Sequence, residues 1–180
     1  MVGRRVGRVT VGRDRVVRRT SAEALIDGLS GRTIVSADRR GKYLLCPLDD
    51  GSVLMVHLRM SGQLLVTPPG ALRPPHTHVV AELSAVDDRP PAELWFVDPR
   101  TFGEVVVYDP TDVAVQVPEL ARLGIDPIAE PFTRRDLRRI LRSRSRRLKP
   151  LLLDQAYVAG IGNIYADEIL HAARVRPDRR

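Results

Sequence analysis

Residues 149–170 constrain the fold more tightly than any other stretch, because they read as two helices separated by glycines. Pro150 suits the first turn of a helix, where its missing N–H has no partner to lose. Leu151, Leu152 and Leu153 make that helix short and buried, and Gly160 and Gly162 break it. Asn163 is placed to cap a second helix, on which Ile161, Tyr165, Ile169 and Ala172 fall on one face. A glycine turn leading into a helix N-terminus presents backbone N–H groups in a geometry suited to phosphate. The same pattern also describes an ordinary helical hairpin whose glycines allow close packing.

Charge is concentrated beside this hairpin. Residues 131–150 contain eight arginines, Lys149 and one acidic residue, Asp136, a net charge of +8 in a chain whose total is +7. The other residues are therefore close to neutral. Such a segment fits a polyanion-binding face, or a solvated helix in an arginine-rich protein. The arginine bias is real, since lysine occurs only at positions 42 and 149. It accounts for the identity of the residues better than for their clustering, and phosphate contact is the reading favoured here.

Elsewhere the pattern is that of strands. Valines and arginines alternate loosely over 2–19, which predicts one or two strands with a turn near Gly12. Thr20-Ser21-Ala22-Glu23 resembles a capping box and opens a short helix through Leu25 and Leu29. Strands are expected at 33–36, 43–48, 53–58, 63–67, 76–83, 93–98 and 104–108, with Asp49-Asp50-Gly51 as a hairpin turn. Residues 111–131 carry Pro118, Pro127 and Pro131 and read as a connector, with a helical turn at 118–123. Thr133-Arg134-Arg135-Asp136 can cap a helix from 134 to about 146, given an apolar side by Leu137, Ile140, Leu141 and Leu148. The fold class expected is α+β. An antiparallel β-sandwich over 1–115 leads through a linker at 116–131 to a helical domain at 132–180. The single cysteine, Cys46, excludes an internal disulfide and a cysteine-pair zinc site within this chain. No apolar run is long enough to span a bilayer, and Met1 begins no signal-peptide pattern.

Five short motifs carry candidate chemistry. Lys42, in Arg39-Arg40-Gly41-Lys42-Tyr43, can lose a proton where arginine cannot; it is otherwise a surface lysine. Met60, in His57-Leu58-Arg59-Met60-Ser61-Gly62, is by itself most simply a core side chain. Arg100 and Phe102 share the tight loop Asp98-Pro99-Arg100-Thr101-Phe102-Gly103, which can be a plain hairpin turn. His76 and His78 stand two apart on a strand, a spacing that admits a metal, but no third ligand is near. The last motif is Lys149-Pro150 followed by Gly-Ile-Gly-Asn-Ile-Tyr-Ala-Asp-Glu.

Taken together and in order, these motifs resemble the formamidopyrimidine-DNA glycosylase and endonuclease VIII family, over residues 39–177. The resemblance implies excision of oxidised bases and nicking of abasic DNA, with a helix–two-turn–helix element at 149–170. It implies that Lys42 contacts DNA beside the lesion and assists elimination, and that Met60 fills the space left by an everted base. Arg100 would face the orphaned base with Phe102 stacked beside it. His76, Lys149 and Asn163 would hold the DNA backbone. Thr101 stands where the family often has a second arginine.

The family's N-terminal Pro-Glu, its nucleophile and acid–base partner, has no match at Met1-Val2-Gly3, and no cysteines follow Cys46 to build its four-cysteine zinc finger. The expectation is therefore an incomplete chain with no cofactor of its own and impaired glycosylase turnover. Its partner would be double-stranded DNA carrying an oxidised base or abasic site. It would be a monomer, in the bacterial cytoplasm and on the nucleoid when bound. A non-catalytic module that binds damaged DNA is the alternative. A β-barrel RNA-binding protein is a third reading that needs none of the loop spellings.

Overall fold

A computed structural model of the protein describes residues 1–143 and 146–179 and divides into two compact units, Met1–Val117 and Pro118–Arg180. In the first unit, β1 (Val6–Val11) is followed by a 3-10 turn, Asp14–Val16, and by α1 (Ala22–Leu29). Then come β2 (Asp38–Arg40), β3 (Tyr43–Pro47), β4 (Val53–His57), β5 (Gln63–Thr67), β6 (Thr77–Leu83), β7 (Ala92–Val97) and β8 (Glu104–Tyr108). Among the described residues these strands form two antiparallel sheets, ordered β1-β6-β7-β5 and β2-β3-β4-β8.

The two sheets share one apolar core. Val9, Val79, Ala81, Leu94 and Phe96 come from the first sheet, and Cys46, Leu54, Val56 and Val105 from the second. Each large aliphatic or aromatic side chain so buried contributes roughly 1.5–3 kcal/mol. Helix α1 buries Leu25 and Leu29 in the same cluster and packs on the edge strands β1 and β8, closing the open side of the sandwich. Ser21 caps it by accepting from the Ala24 N–H at 3.1 Å. Gly28 lets it approach β8, since a Cβ there would lie 3.1 Å from a Val107 methyl.

Of the one or two strands expected over 2–19 one forms, β1, while the strand expected at 33–36 needs correction. Residues 13–19 form no second strand: Val16 and Val17 are adjacent yet both buried, which a 3-10 turn permits and an alternating strand does not. Residues 33–36 make isolated bridges only, Arg5 with Thr33 and Ile34 with Leu48; the paired strand is instead β2, exposed along its whole length.

The second unit follows α2 (Val113–Gln116) and begins with α3 (Pro118–Ala121). It continues with α4 (Arg134–Ser143), α5 (Leu148–Leu153) and α6 (Asn163–Ala172). Residues 123–126, read from sequence as part of a connector, dock on the α5–α6 turn. The Gly124 N–H donates to the Gln155 carbonyl at 2.9 Å, and Ile125 pairs in parallel with Val158. Ile140, Leu151 and Val158 form the core of this unit, with Phe132, Tyr157 and Ile161 against it. The Thr133 cap on α4 forms as expected: Thr133 Oγ1 accepts from the Asp136 N–H at 3.2 Å, and the Asp136 carboxylate accepts from the Thr133 N–H at 3.1 Å. Residues 144–145 of the helix expected to reach 146 lie outside the described residues.

The approach of Gly124 to the turn has no slack. A Cβ there would sit 2.4 Å from the Tyr157 carbonyl oxygen, which is backbone and cannot rotate away. Gly124→Ala is expected to destabilise the protein by about 1–3 kcal/mol, as overpacked sites do. Gly12→Ala, whose Cβ would meet ordinary contacts at 3.7 Å, is expected to cost well under 1 kcal/mol. Urea denaturation of the two variants checks the difference.

Candidate functional site

Two loops at one end of the sandwich carry the exposed side chains singled out from sequence. The first, Leu58–Gly62, joins β4 to β5; the second, Asp98–Gly103, joins β7 to β8. Asp98 is fully buried and ties them together. Its carboxylate accepts from Ser61 Oγ at 2.5 Å, from the Gly103 N–H at 2.6 Å and from the Arg100 N–H at 3.2 Å. Burial alone would push its pKa up, but these donors outweigh it and hold the group below the usual carboxylate value. The Asp98 carbonyl accepts from His78 Nε2 at 2.9 Å, which requires that nitrogen to carry the hydrogen. The Asp98 N–H donates to the His76 carbonyl at 3.0 Å.

Clamped in this way, the loop tips converge. Met60 is 73% exposed, unusually for a methionine. Arg100 Nη1 lies 3.4 Å from its sulfur, and the guanidinium stands 4.6 Å from the centre of the Phe102 ring. An exposed cation–π contact is worth about 0.5–1 kcal/mol, whereas a hydrogen bond to a buried charge is worth about 1.5–3 kcal/mol. The Asp98 bonds therefore set the loops, and the Met60–Arg100–Phe102 contact rides on them. The backbone is strained at the same place. Arg59, His76 and Thr101 have φ of 52°, 67° and 51°, a region side chains other than glycine occupy only where the surroundings impose it.

Lys42 precedes β3 and is exposed. It lines a mostly apolar recess of about 210 Å³ with Tyr43, Leu44, Val56, Leu58 and Leu64. Desolvation, and then the positive charge of Arg59, hold its pKa below the ordinary lysine value. Across the sheet, Tyr43, His57 and Glu104 are register neighbours, and the Tyr43 and His57 rings meet edge to face at 4.6 Å. His57 is buried; desolvation, Arg59 and Lys42 bring its pKa down to about 4, so it is neutral. Its Nδ1 accepts from the Arg59 N–H at 3.0 Å. His76 is exposed, outside β6, while His78 is buried against Asp98. The two ring centroids lie 6.3 Å apart, with His78 committed to the Asp98 carbonyl.

In the second unit, Gln155 holds the glycine turn. Its amide donates to the Leu153 and Ile161 carbonyls and accepts from the Gly160 N–H. Gly160 has φ of 94°, which excludes most other residues. The expected cap is corrected: Gly162 is the N-cap of α6, without a side-chain cap bond, and Asn163 is its first residue. The buried face is also rotated, carrying Ala166 and Leu170, while Tyr165 and Ile169 are exposed. Lys149 Nζ pairs with Asp167 at 2.7 Å, and Asp167 stands one turn from the exposed Asn163. Lys149 and Asn163 thus belong to one face of the hairpin. On α4, Arg134, Arg135, Arg138, Arg139 and Arg142 are all exposed, and Asp136 is the helix's one acidic residue.

Residues 1–105 match the family model of the formamidopyrimidine-DNA glycosylase N-terminal domain, and residues 123–180 match that of the formamidopyrimidine-DNA glycosylase H2TH domain. The chain belongs to the formamidopyrimidine-DNA glycosylase family. Relatives bearing that name include proteins of Pelotomaculum thermopropionicum, 41% identical over 98% of this chain, and of a Roseiflexus species, 43% identical over 99%. The chain spans 62% and 63% of the length of these two relatives. The fold is similar to that of Lactococcus lactis Fpg in complex with DNA containing an abasic site, with a TM-score of 0.87 and 32% identity, covering 100% of this chain and 64% of that one. A second Lactococcus lactis Fpg complex, with Fapy-dG-containing DNA, matches equally well over 99% of this chain. Among the described residues no helix is long and apolar enough to cross a membrane.

For a chain of this family, sequence reasoning named the exposed side chains and missed those that hold them: Asp98, Ser61, His57 and Gln155. Asp98 alone left a signal, since Asp-Pro opening a tight loop favours side-chain bonds to backbone N–H groups two residues on. The state of His57 has a measurable consequence. Its folded-state pKa lies below the usual histidine value, so the unfolded chain binds the extra proton first. Its contribution is complete above about pH 6.5 and is lost as pH falls towards 4, up to about 3 kcal/mol. Urea denaturation at pH 7, 6, 5 and 4.5 is expected to show a steep loss of stability. His57→Asn, which keeps an acceptor for Arg59 without titrating, is expected to flatten that slope.

Proposed function

We propose that this chain recognises damaged duplex DNA in base-excision repair, gripping an abasic site or an oxidised base turned out of the stack. The observation that carries this reading is the Met60–Arg100–Phe102 cluster on two loops fixed by one buried carboxylate. Everting a base costs a few kcal/mol. An exposed methionine gains about 1.5–3 kcal/mol when buried, and an aromatic ring stacked on a base gains about 1–3 kcal/mol. The two together are of the size needed to offset eversion. Arg100 supplies donors for the orphaned base. Further support comes from the two Lactococcus lactis complexes, whose DNA carries an abasic site and Fapy-dG.

His76 in the first unit, and Lys149, Asn163 and the α4 arginines in the second, take the phosphates in this reading. The Lys149–Asp167 pair does not forbid this, because an exposed pair is worth under about 1 kcal/mol and a phosphate competes with it. The partner is double-stranded DNA, bound by a monomer in the bacterial cytoplasm.

Lys42 is the group with chemistry to offer. Its amine can attack the C1′ aldehyde carbon of a ring-opened abasic sugar and expel water, leaving an imine. Loss of the C2′ proton then breaks the C3′–O bond, and the 3′ phosphate departs. A lowered pKa gives Lys42 more of the unprotonated amine that the attack requires. The Met1 amine interacts with Arg4, Arg89 and Cys46, and Cys46 lies four residues along β3 from Lys42, about 13 Å.

Borohydride trapping on a duplex with one abasic site tests the reading. The expected result is a covalent adduct that peptide mapping assigns to Lys42 and that Lys42→Ala abolishes without loss of binding. Trapping should accelerate with rising pH, and Arg59→Gln should move that profile to higher pH by removing a neighbouring positive charge. Selective binding of the abasic duplex without an adduct would leave a non-catalytic binding module. Equal affinity for abasic and intact duplex would overturn the proposal.

A further inference from the structure

Behind the two loops lies a buried carboxylate that the reading above does not use. Glu104, the first residue of β8, is 1% exposed. Its Oε1 accepts from Arg19 Nε at 2.6 Å, and the Arg19 guanidinium also reaches the Gln116 carbonyl at 3.5 Å. The other oxygen, Oε2, is buried and accepts no hydrogen bond among the described residues; Arg59 Nη2 faces it at 3.9 Å. Beside this pair, Arg18 Nη2 donates to the Thr101 carbonyl at 2.8 Å.

Each contact ends next to a residue of the cluster. Arg59 immediately precedes Met60, Thr101 lies between Arg100 and Phe102, and Glu104 follows Phe102 by two positions. Arg59 and Thr101 are also two of the strained residues. A buried ion pair is a poor source of net stability, because desolvating both charges cancels much of their attraction. Its directional bonds nevertheless fix geometry, and a carboxylate oxygen left without a donor is costly to keep. An apolar side chain at 104 would fill the strand equally well without joining Arg19 to Arg59.

We propose that Glu104, held by Arg19 and faced by Arg59, is a positioning residue that sets the register of the two loops carrying Met60, Arg100 and Phe102. Asp98 fixes the path of the second loop and its link to Ser61. Glu104 fixes how far the two tips stand from each other, with the segment Arg18–Arg19 as the outside brace. When DNA covers the loops and removes water, the Arg59 guanidinium, 3.9 Å away, is placed to donate to the open Oε2. Closing that gap draws the Met60 loop towards the Phe102 loop. The consequence for DNA rests on the wedge reading given above; the consequence for the loops does not.

The test therefore has an arm without DNA. The chain contains three phenylalanines, at 96, 102 and 132, so fluorophenylalanine labelling yields three fluorine resonances, and Phe102→Leu identifies one. Glu104→Gln is expected to shift and broaden the Phe102 resonance and to leave that of Phe132 in place. Arg19→Met should reproduce the change, and Arg19→Lys, which keeps a charge on Glu104, should restore most of it. Should Glu104→Gln not fold, the Arg19 pair carries the test alone. An unmoved Phe102 resonance in folded variants overturns the proposal.

In the second arm, duplexes with and without a tetrahydrofuran abasic analogue are bound by the same variants. The preference for the analogue should fall about tenfold while affinity for the intact duplex stays within about twofold. Equal losses on both duplexes would mean general destabilisation and would also overturn it. A wild-type chain that shows no preference, with the Phe102 resonance responding as described, would instead overturn the DNA reading.

Discussion

The carboxylate of Asp98 is the point on which the candidate site depends. It is buried, it remains ionised, and it spends its lone pairs on two different loops. Those bonds let three residues sit at positive φ and let Met60 stand 73% exposed without folding back into the core. Gly103 belongs to the same arrangement. A Cβ there would lie 2.5 Å from the Phe96 ring, so the loop can close on Asp98 only with glycine at that position. An interior aromatic, a buried acid and a glycine thus act together to present a surface methionine, arginine and phenylalanine.

The electrostatics divide between the two units. The sandwich carries a single lysine in a cationic neighbourhood with partial desolvation, which favours its neutral amine. The helical unit carries permanently charged arginines along α4 and a lysine held by a weak exposed pair. The first arrangement suits proton transfer and imine chemistry, and the second suits attraction to a polyanion. This division follows from the different acidities of lysine and arginine. A chain that otherwise writes arginine has lysine at two of the positions the proposed contacts use, one for its amine and one for its compact charge.

Much of this was legible in the sequence, and the misses have physical causes. Strands β3 to β8 announce themselves as short, mostly apolar runs between Gly, Pro and Asp turns. The exposed β2 has no such run, and the apolar Ile34 nearby drew the expectation to the wrong segment. On α6, the bulky Ile161, Tyr165 and Ile169 suggested one inward face, but the close approach of the turn admits small Ala166 with Leu170 instead. The exposed Lys42, Met60 and Arg100 and the half-buried Phe102 were found through their motif spelling. The residues behind them were not, because a buried Asp, His or Glu leaves no periodic trace: its partners are dozens of residues away, as Ser61 is from Asp98 and Arg19 from Glu104.

The central claim is that Met60, Arg100 and Phe102 occupy the space beside a displaced base. The most direct measurement is the fluorescence of 2-aminopurine placed opposite a tetrahydrofuran abasic analogue in a duplex, followed as the protein is added. A large change is expected as the probe leaves its normal stack, lost in Met60→Ala and Phe102→Ala while anisotropy still reports binding. An unchanged probe signal at saturating wild-type protein would contradict it, because the DNA would then be held by its phosphates alone.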